Sequence, residues 1–159
     1  MADGADNRAR ILSCAIHLFY QRGYDAVGVQ EIATAAGVTK PTLYYYFKSK
    51  LGLLEALLRE NCEPFCERLE QVAAGYQGEP KDTLYRLACT FVEIAQENRE
   101  LYFLLLSLNY SARENEAFKA VAPYMKRMFR ATTDFFVRAG DKLGNMNAVS
   151  YTHLRAHET

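Results

Sequence analysis

The sequence predicts an all-α fold, with an N-terminal three-helix unit followed by a longer, incomplete helical body. Three observations carry this. Apolar residues recur at spacings of three and four along almost the whole chain, which is the repeat of one helix face. The alternation of apolar and polar β-branched residues that marks a half-buried strand is nearly absent. The breaks between periodic stretches hold Gly, Pro, Ser, Thr or Asn, the residues that start and stop helices.

The first helix presents Ile11, Leu12, Ala15, Leu18 and Phe19 as one stripe. Asp6 is its expected N-cap and Gly23 its C-cap. A short second helix over residues 29–36 turns Ile32, Ala33 and Ala36 inward, and Gly37 ends it. Thr39 caps a third short helix, with Pro41 in the first turn, where a missing N–H costs little. That helix runs through Leu43 to about Phe47. Ser49 caps a fourth, whose apolar face is Leu51, Leu54, Leu57 and Leu58, and Pro64 is expected to kink or interrupt it. Residues 75–80 read as a loop. A fifth helix over residues 81–97 is expected to turn Leu84, Leu87, Ala88, Phe91, Val92 and Ala95 toward the core. A sixth, very apolar, covers residues 101–108. A seventh covers residues 115–139, with Phe118, Val121, Met125, Met128, Phe129, Phe135 and Phe136.

Composition narrows the function. Nineteen Lys and Arg balance nineteen Asp and Glu, so the chain is not a nonspecific polyanion binder. No apolar run reaches the length of a membrane span, and the N-terminus has no apolar signal core, which points to a cytoplasmic protein. The four cysteines, Cys14, Cys62, Cys66 and Cys89, sit in helical stretches and are expected to be reduced core residues. Cys62 and Cys66 share a helix face, so a thiol- or metal-responsive regulator is one alternative. Spacing alone supplies no further ligands, and neither a metal nor another cofactor is expected. No nucleophile–base set, phosphate loop or carboxylate pair stands out, so an enzyme is not expected. A helical protein-interaction module is the remaining alternative.

Two short helices joined at a glycine, the second able to enter a major groove, form the helix-turn-helix plan. Ile32 and Ala33 of one helix can pack on Leu43 of the next. The third helix of the chain then offers Lys40, Pro41, Thr42, Tyr44, Tyr45 and Tyr46 from its start and flanks. Threonine and tyrosine hydroxyls suit phosphate or base-edge contacts, and the Thr42 methyl or Pro41 ring suits a thymine methyl. Residues 38–52 contain Lys40, Lys48 and Lys50 and no acidic residue. Among these, Lys48 reads as a solvated surface lysine, Phe47 as core, and Tyr45 as open to either role.

The run GVTKPTLYYYFKSKLGLL, with AIHLFYQRGYDAVGVQEIATAAGV before it, resembles the TetR/AcrR family of bacterial transcriptional regulators. The strong part of the likeness covers about residues 8–58. It takes in Phe19, Gly23, Tyr24, Ile32, Ala33, Gly37, Val38, Thr39, Leu43, Tyr44, Tyr46, Phe47, Lys50, Leu53 and Leu54. The resemblance implies a homodimer on a near-palindromic double-stranded DNA operator, with a small-molecule effector in the C-terminal domain releasing the DNA. It carries DNA-contacting roles to Lys40, Pro41, Thr42, Tyr44 and Tyr46. It gives Lys50 a phosphate contact and Gln30 a reach to DNA from the second helix. Where the family usually places Ser or Thr to cap the second helix, this chain has Gly28, a looser cap that lacks the hydroxyl.

The expected organisation is a helix-turn-helix DNA-binding domain at residues 1–48 and a helical ligand-binding and dimerisation domain at 49–148. The body is rich in Phe, Tyr, Leu and Met. Phe65, Leu69, Phe91, Tyr102, Phe103, Leu106, Met125 and Met128 are candidate pocket residues, which favours an apolar or aromatic effector of a repressor. Residues 149–159, VSYTHLRAHET, resemble a translated sequencing-library transposase adapter and are set aside from the fold, with His153 and His157. Against a family length of roughly 200 residues, the last two helices, the family's dimer interface, are expected to be missing. A weakened homodimer with exposed apolar surface on the last helix is the expected consequence.

Overall fold

The computed structural model describes residues 2–143. They form seven α-helices: α1 (Ala2–Arg22), α2 (Val29–Ala35), α3 (Lys40–Phe47), α4 (Lys50–Ala74), α5 (Pro80–Glu97), α6 (Arg99–Asn109) and α7 (Glu116–Arg138). A 3-10 turn, Gly140–Lys142, follows, and no strand occurs among the described residues. The adapter-like segment and residues 144–148 of the expected body lie outside the described residues.

Helices α1 to α3 close on a shared core. Ile11, Ala15 and Phe19 of α1 meet Ile32 and Ala33 of α2 and Leu43 and Phe47 of α3, all buried. Complete burial of the Ile, Leu and Phe side chains among them contributes about 1.5–3 kcal/mol each. Asp6 is not the cap of α1. The helix begins further upstream, and Asp6 lies within it, accepting from Arg10 one turn later.

The turn between α2 and α3 depends on Gly37, whose φ of +63° is open to glycine and strained for other residues. Thr39 then caps α3, its hydroxyl accepting from the Thr42 N–H at 3.3 Å, with Pro41 in the first turn. Gly28 precedes α2 with no side-chain cap bond.

Helix α4 runs 25 residues from its Ser49 cap and is not interrupted at Pro64. It packs along α7, burying Leu57, Leu58, Cys62, Phe65, Cys66 and Leu69. Arg127 of α7 bonds both Glu63 and Glu70 of α4, its Nε reaching Glu70 Oε1 at 2.9 Å. Arg138 donates to the Ala73 carbonyl near the end of α4.

Helix α5 departs from the expected orientation. Its buried side chains are Thr83, Leu87 and Thr90, whereas Leu84, Tyr85, Ala88, Phe91 and Val92 face outward. The Thr90 hydroxyl donates to the Arg86 carbonyl at 2.8 Å. Satisfied within its own helix, it packs as a small branched apolar residue. Helix α7 buries Val121, Met128 and Phe135 and exposes Phe129 and Val137.

Candidate nucleic-acid interface

The order of residues in α3 sorts its side chains by face. Leu43 and Phe47 are buried, while Lys40, Pro41, Tyr44, Tyr45 and Lys48 are exposed. These five follow the helical repeat, so the buried pair anchors one side and the other is presented outward. Tyr45 is the most open, at 71 % exposed. Tyr46 is half-buried against the core and meets the Tyr45 ring edge-on at 5.2 Å. Thr42 is half-buried, and its hydroxyl shares a 2.8 Å hydrogen bond with that of Thr39.

The charges on this face are uncompensated. The Lys40 ammonium lies over the Tyr44 ring at 5.8 Å, and that of Lys48 over the Tyr45 ring at 5.8 Å. Lys48 also donates to the Tyr45 carbonyl at 3.1 Å. No carboxylate pairs with Lys40, Lys48 or Lys50 among the described residues. By contrast, Arg8, Arg10 and Arg22 are paired with Glu60, Asp6 and Glu31. The positive potential of the N-terminal unit is therefore carried by lysines set among tyrosines. Gln30 is exposed in the first turn of α2, where its side-chain amide lies 3.5 Å from the Thr34 hydroxyl.

Lys50 has a different setting. Its ammonium donates to the carbonyls of Tyr24 at 3.0 Å and Val27 at 3.3 Å and lies over the Tyr24 ring at 4.2 Å. It ties the start of α4 to the loop after α1, with its charge held close to the backbone. Lys48, read from the sequence as a solvated lysine, is exposed and lies on the same face as Lys40, Tyr44 and Tyr45. Helical spacing relative to the buried Leu43 is the signal that places it there. Its backbone is strained as well, with φ +64° at a non-glycine residue between α3 and α4.

Further contacts shape this region. Gly52, in the first turn of α4, lies so close to α3 that a Cβ there would overlap the Phe47 carbonyl oxygen. Tyr24 donates to Glu116 Oε1 at 2.5 Å, and Asn115 donates to Asp25 Oδ2 at 2.7 Å. These two bonds join the loop after α1 to the start of α7, across some ninety residues of sequence, a separation for which local pattern holds no signal.

The expected pocket residues differ in burial. Phe65, Leu69 and Met128 belong to the core; Tyr102, Leu106 and Met125 are half-buried; Phe91 and Phe103 are exposed. Phe65 and Phe91 do meet edge-on at 5.4 Å. One cleft of about 370 Å³ lies between α4 and α7, flanked by Glu63, Lys119, Tyr124 and Arg127. Another of about 330 Å³ lies where the loop after α1 meets α6 and α7. None of the eight candidates lines either cleft.

Cys62 and Cys66 are both buried. Burial pushes the Cys62 thiol up to about 12 and the Cys66 thiol up to about 11. Reactive cysteines need the opposite shift. No group of three or more His, Cys, Asp or Glu suited to a metal occurs among the described residues. No helix among them is long and apolar enough to cross a membrane.

Residues 11–57 match the family model described as bacterial regulatory proteins, tetR family. Over 133 residues the chain is 31% identical to an uncharacterized HTH-type transcriptional regulator, YvkB, of Bacillus subtilis, covering 84% of this chain and 67% of that protein. Over 129 residues it is 30% identical to the HTH-type transcriptional activator FasR of Mycolicibacterium smegmatis, covering 81% of this chain and 56% of the relative. Its fold superposes on a TetR-family transcriptional regulator from Bordetella parapertussis with a TM-score of 0.74 at 25% identity, covering 91% of this chain and 74% of that one. The chain thus spans between about half and two thirds of the length of these two curated relatives. Both are transcriptional regulators by name.

Proposed function

This chain belongs to the TetR family of bacterial regulatory proteins, and from that premise we propose that it regulates transcription by reading a duplex DNA operator with α3. The observation that carries the reading is the outward face of α3: Lys40, Pro41, Tyr44, Tyr45 and Lys48, with no carboxylate partner among the described residues. Lysines on such a face engage phosphates, and tyrosine hydroxyls and rings suit the phosphate and sugar edges of a groove. Gln30 extends the footprint from α2. Lys50 contributes by holding the α3–α4 junction, and its charge adds to the local potential. We assign α1 to α3 as the DNA-binding domain, with α4 shared between it and the body.

In our reading the regulator is a homodimer acting as a repressor. A small apolar or aromatic effector releases it from DNA, on the strength of the aromatic content of α4 to α7. The buried, protonated state of Cys62 and Cys66 weighs against a thiol-responsive mechanism. The test is a titration of the chain against duplexes covering the DNA around its own gene. Binding is expected to weaken steeply with salt, and Lys40→Ala to lower the slope of log affinity against log salt by about 1. Tyr44→Ala is expected to weaken binding to the preferred duplex more than to random DNA. If neither substitution weakens binding, the assignment of α3 to DNA is wrong.

A further inference from the structure

The Tyr24 hydroxyl is not used by the presented face of α3, yet it sits where the N-terminal unit meets the body. We propose that Tyr24 is a positioning residue that sets the α3–α4 junction according to the place of α7, through its hydrogen bond to Glu116. The inference rests on the DNA-reading role of α3 proposed above.

The geometry is continuous. Asn115 caps α7, its side chain accepting from the Ala117 N–H at 2.8 Å and donating to Asp25 at 2.7 Å. Glu116, the first residue of α7, accepts from the Tyr24 hydroxyl at 2.5 Å. The beginning of α7 is therefore pinned to the loop after α1 by adjacent side chains. The Tyr24 ring is buried, 5.1 Å from the Phe19 ring, so the residue cannot swing freely. The Lys50 ammonium lies over the same ring at 4.2 Å and also donates to the Tyr24 and Val27 carbonyls. Lys50 opens α4 directly after α3, and Gly52 presses that first turn onto the end of α3. A shift at the start of α7 thus reaches α3 through Tyr24, Lys50 and the close approach of Gly52 to the Phe47 carbonyl. Burial and the Glu116 carboxylate push the Tyr24 phenol up, so it remains a donor across the physiological range. The arrangement is a chain of direct physical contacts between two elements, and coupling along it must be shown by non-additivity.

The experiment is a double-mutant cycle on the full chain with Tyr24→Phe and Glu116→Ala, plus Glu116→Gln as the conservative variant that keeps an acceptor oxygen. Two readouts are taken: affinity for the preferred duplex, and amide hydrogen exchange of residues 43–53 without DNA. Tyr24→Phe keeps the ring, the Phe19 contact and the Lys50 contact. It is expected to change duplex affinity by roughly fivefold or more and to speed exchange at residues 43–53. In the Glu116→Ala background it is expected to add nothing further, while Glu116→Gln stays near wild type in both readouts. Equal effects of Tyr24→Phe in both backgrounds would overturn the proposal, as would unchanged exchange at residues 43–53 in Glu116→Ala. If the wild-type chain binds no duplex, the DNA reading fails, and the exchange readout still decides the positioning role.

Discussion

At the junction between α3 and α4 two residues accept unusual backbone conditions. Lys48 holds a positive φ, which costs of the order of 1–3 kcal/mol for a residue with a Cβ. Gly52 lets the first turn of α4 rest against the Phe47 carbonyl. Both serve the same end, a sharp reversal that leaves the face of α3 uncovered. Gly52→Ala forces the backbone of one helix to move, because the atom in the way is a carbonyl oxygen and not the end of a flexible side chain. The expected outcome is a loss of about 1–3 kcal/mol in urea unfolding, with duplex affinity falling further than the loss of folded protein explains. The sequence marked Gly37 as a turn because it falls between two periodic stretches. It left Gly52 unmarked, since a glycine inside a helical pattern carries no sign of what lies against it.

Among the elements, α5 shows where helical periodicity stops being decisive. Apolar residues lie on more than one side of it, so two faces compete for the core. The one that faces inward carries Thr83, Leu87 and Thr90, and the other stays exposed, with Tyr85 at 70 % and Val92 at 54 %. The threonines hid the inner face because a hydroxyl counts as polar in a sequence, although Thr90 bonds within its helix. Substitution separates the two faces. Leu87→Ala is expected to cost about 2–5 kcal/mol, while Val92→Lys stays within about 0.5 kcal/mol and lowers self-association. Urea unfolding and light scattering measure the two effects. A large loss of stability in Val92→Lys would show that this face is covered in solution. Helices α2 and α3 were easier to read, since Gly37, Thr39, Pro41 and Ser49 mark their ends and each has one narrow apolar side.

For the whole molecule, the packing of α4 on α7 links stability to alkaline pH. The buried thiols of Cys62 and Cys66 titrate from an ordinary 9.0 up to about 12 and about 11. Between those values the folded chain keeps protons that the unfolded chain has released. Stability from these groups is therefore complete below pH 9 and declines above it, by at most about 1.4 kcal/mol per pH unit for each thiol. Tyr24, also raised by burial, adds to the decline above pH 10. Urea midpoints are expected to be level from pH 7 to 9 and to fall toward pH 11, less steeply in Cys62→Ala. A slope unchanged by that substitution would mean that the thiol is not held protonated by the fold.

By itself the sequence determined the helical class, the Thr39 and Ser49 caps, the helix-turn-helix and the family, because each rests on residues close together in the chain. The presented residues of α3 follow from the same source, given one buried anchor at Leu43. Tertiary structure alone decided which face of α5 turns inward, that Lys50 bends back to the Tyr24 and Val27 carbonyls, and that Tyr24 meets Glu116. Those outcomes depend on surfaces brought together from distant positions. Close packing then selects among faces that local periodicity leaves nearly equal.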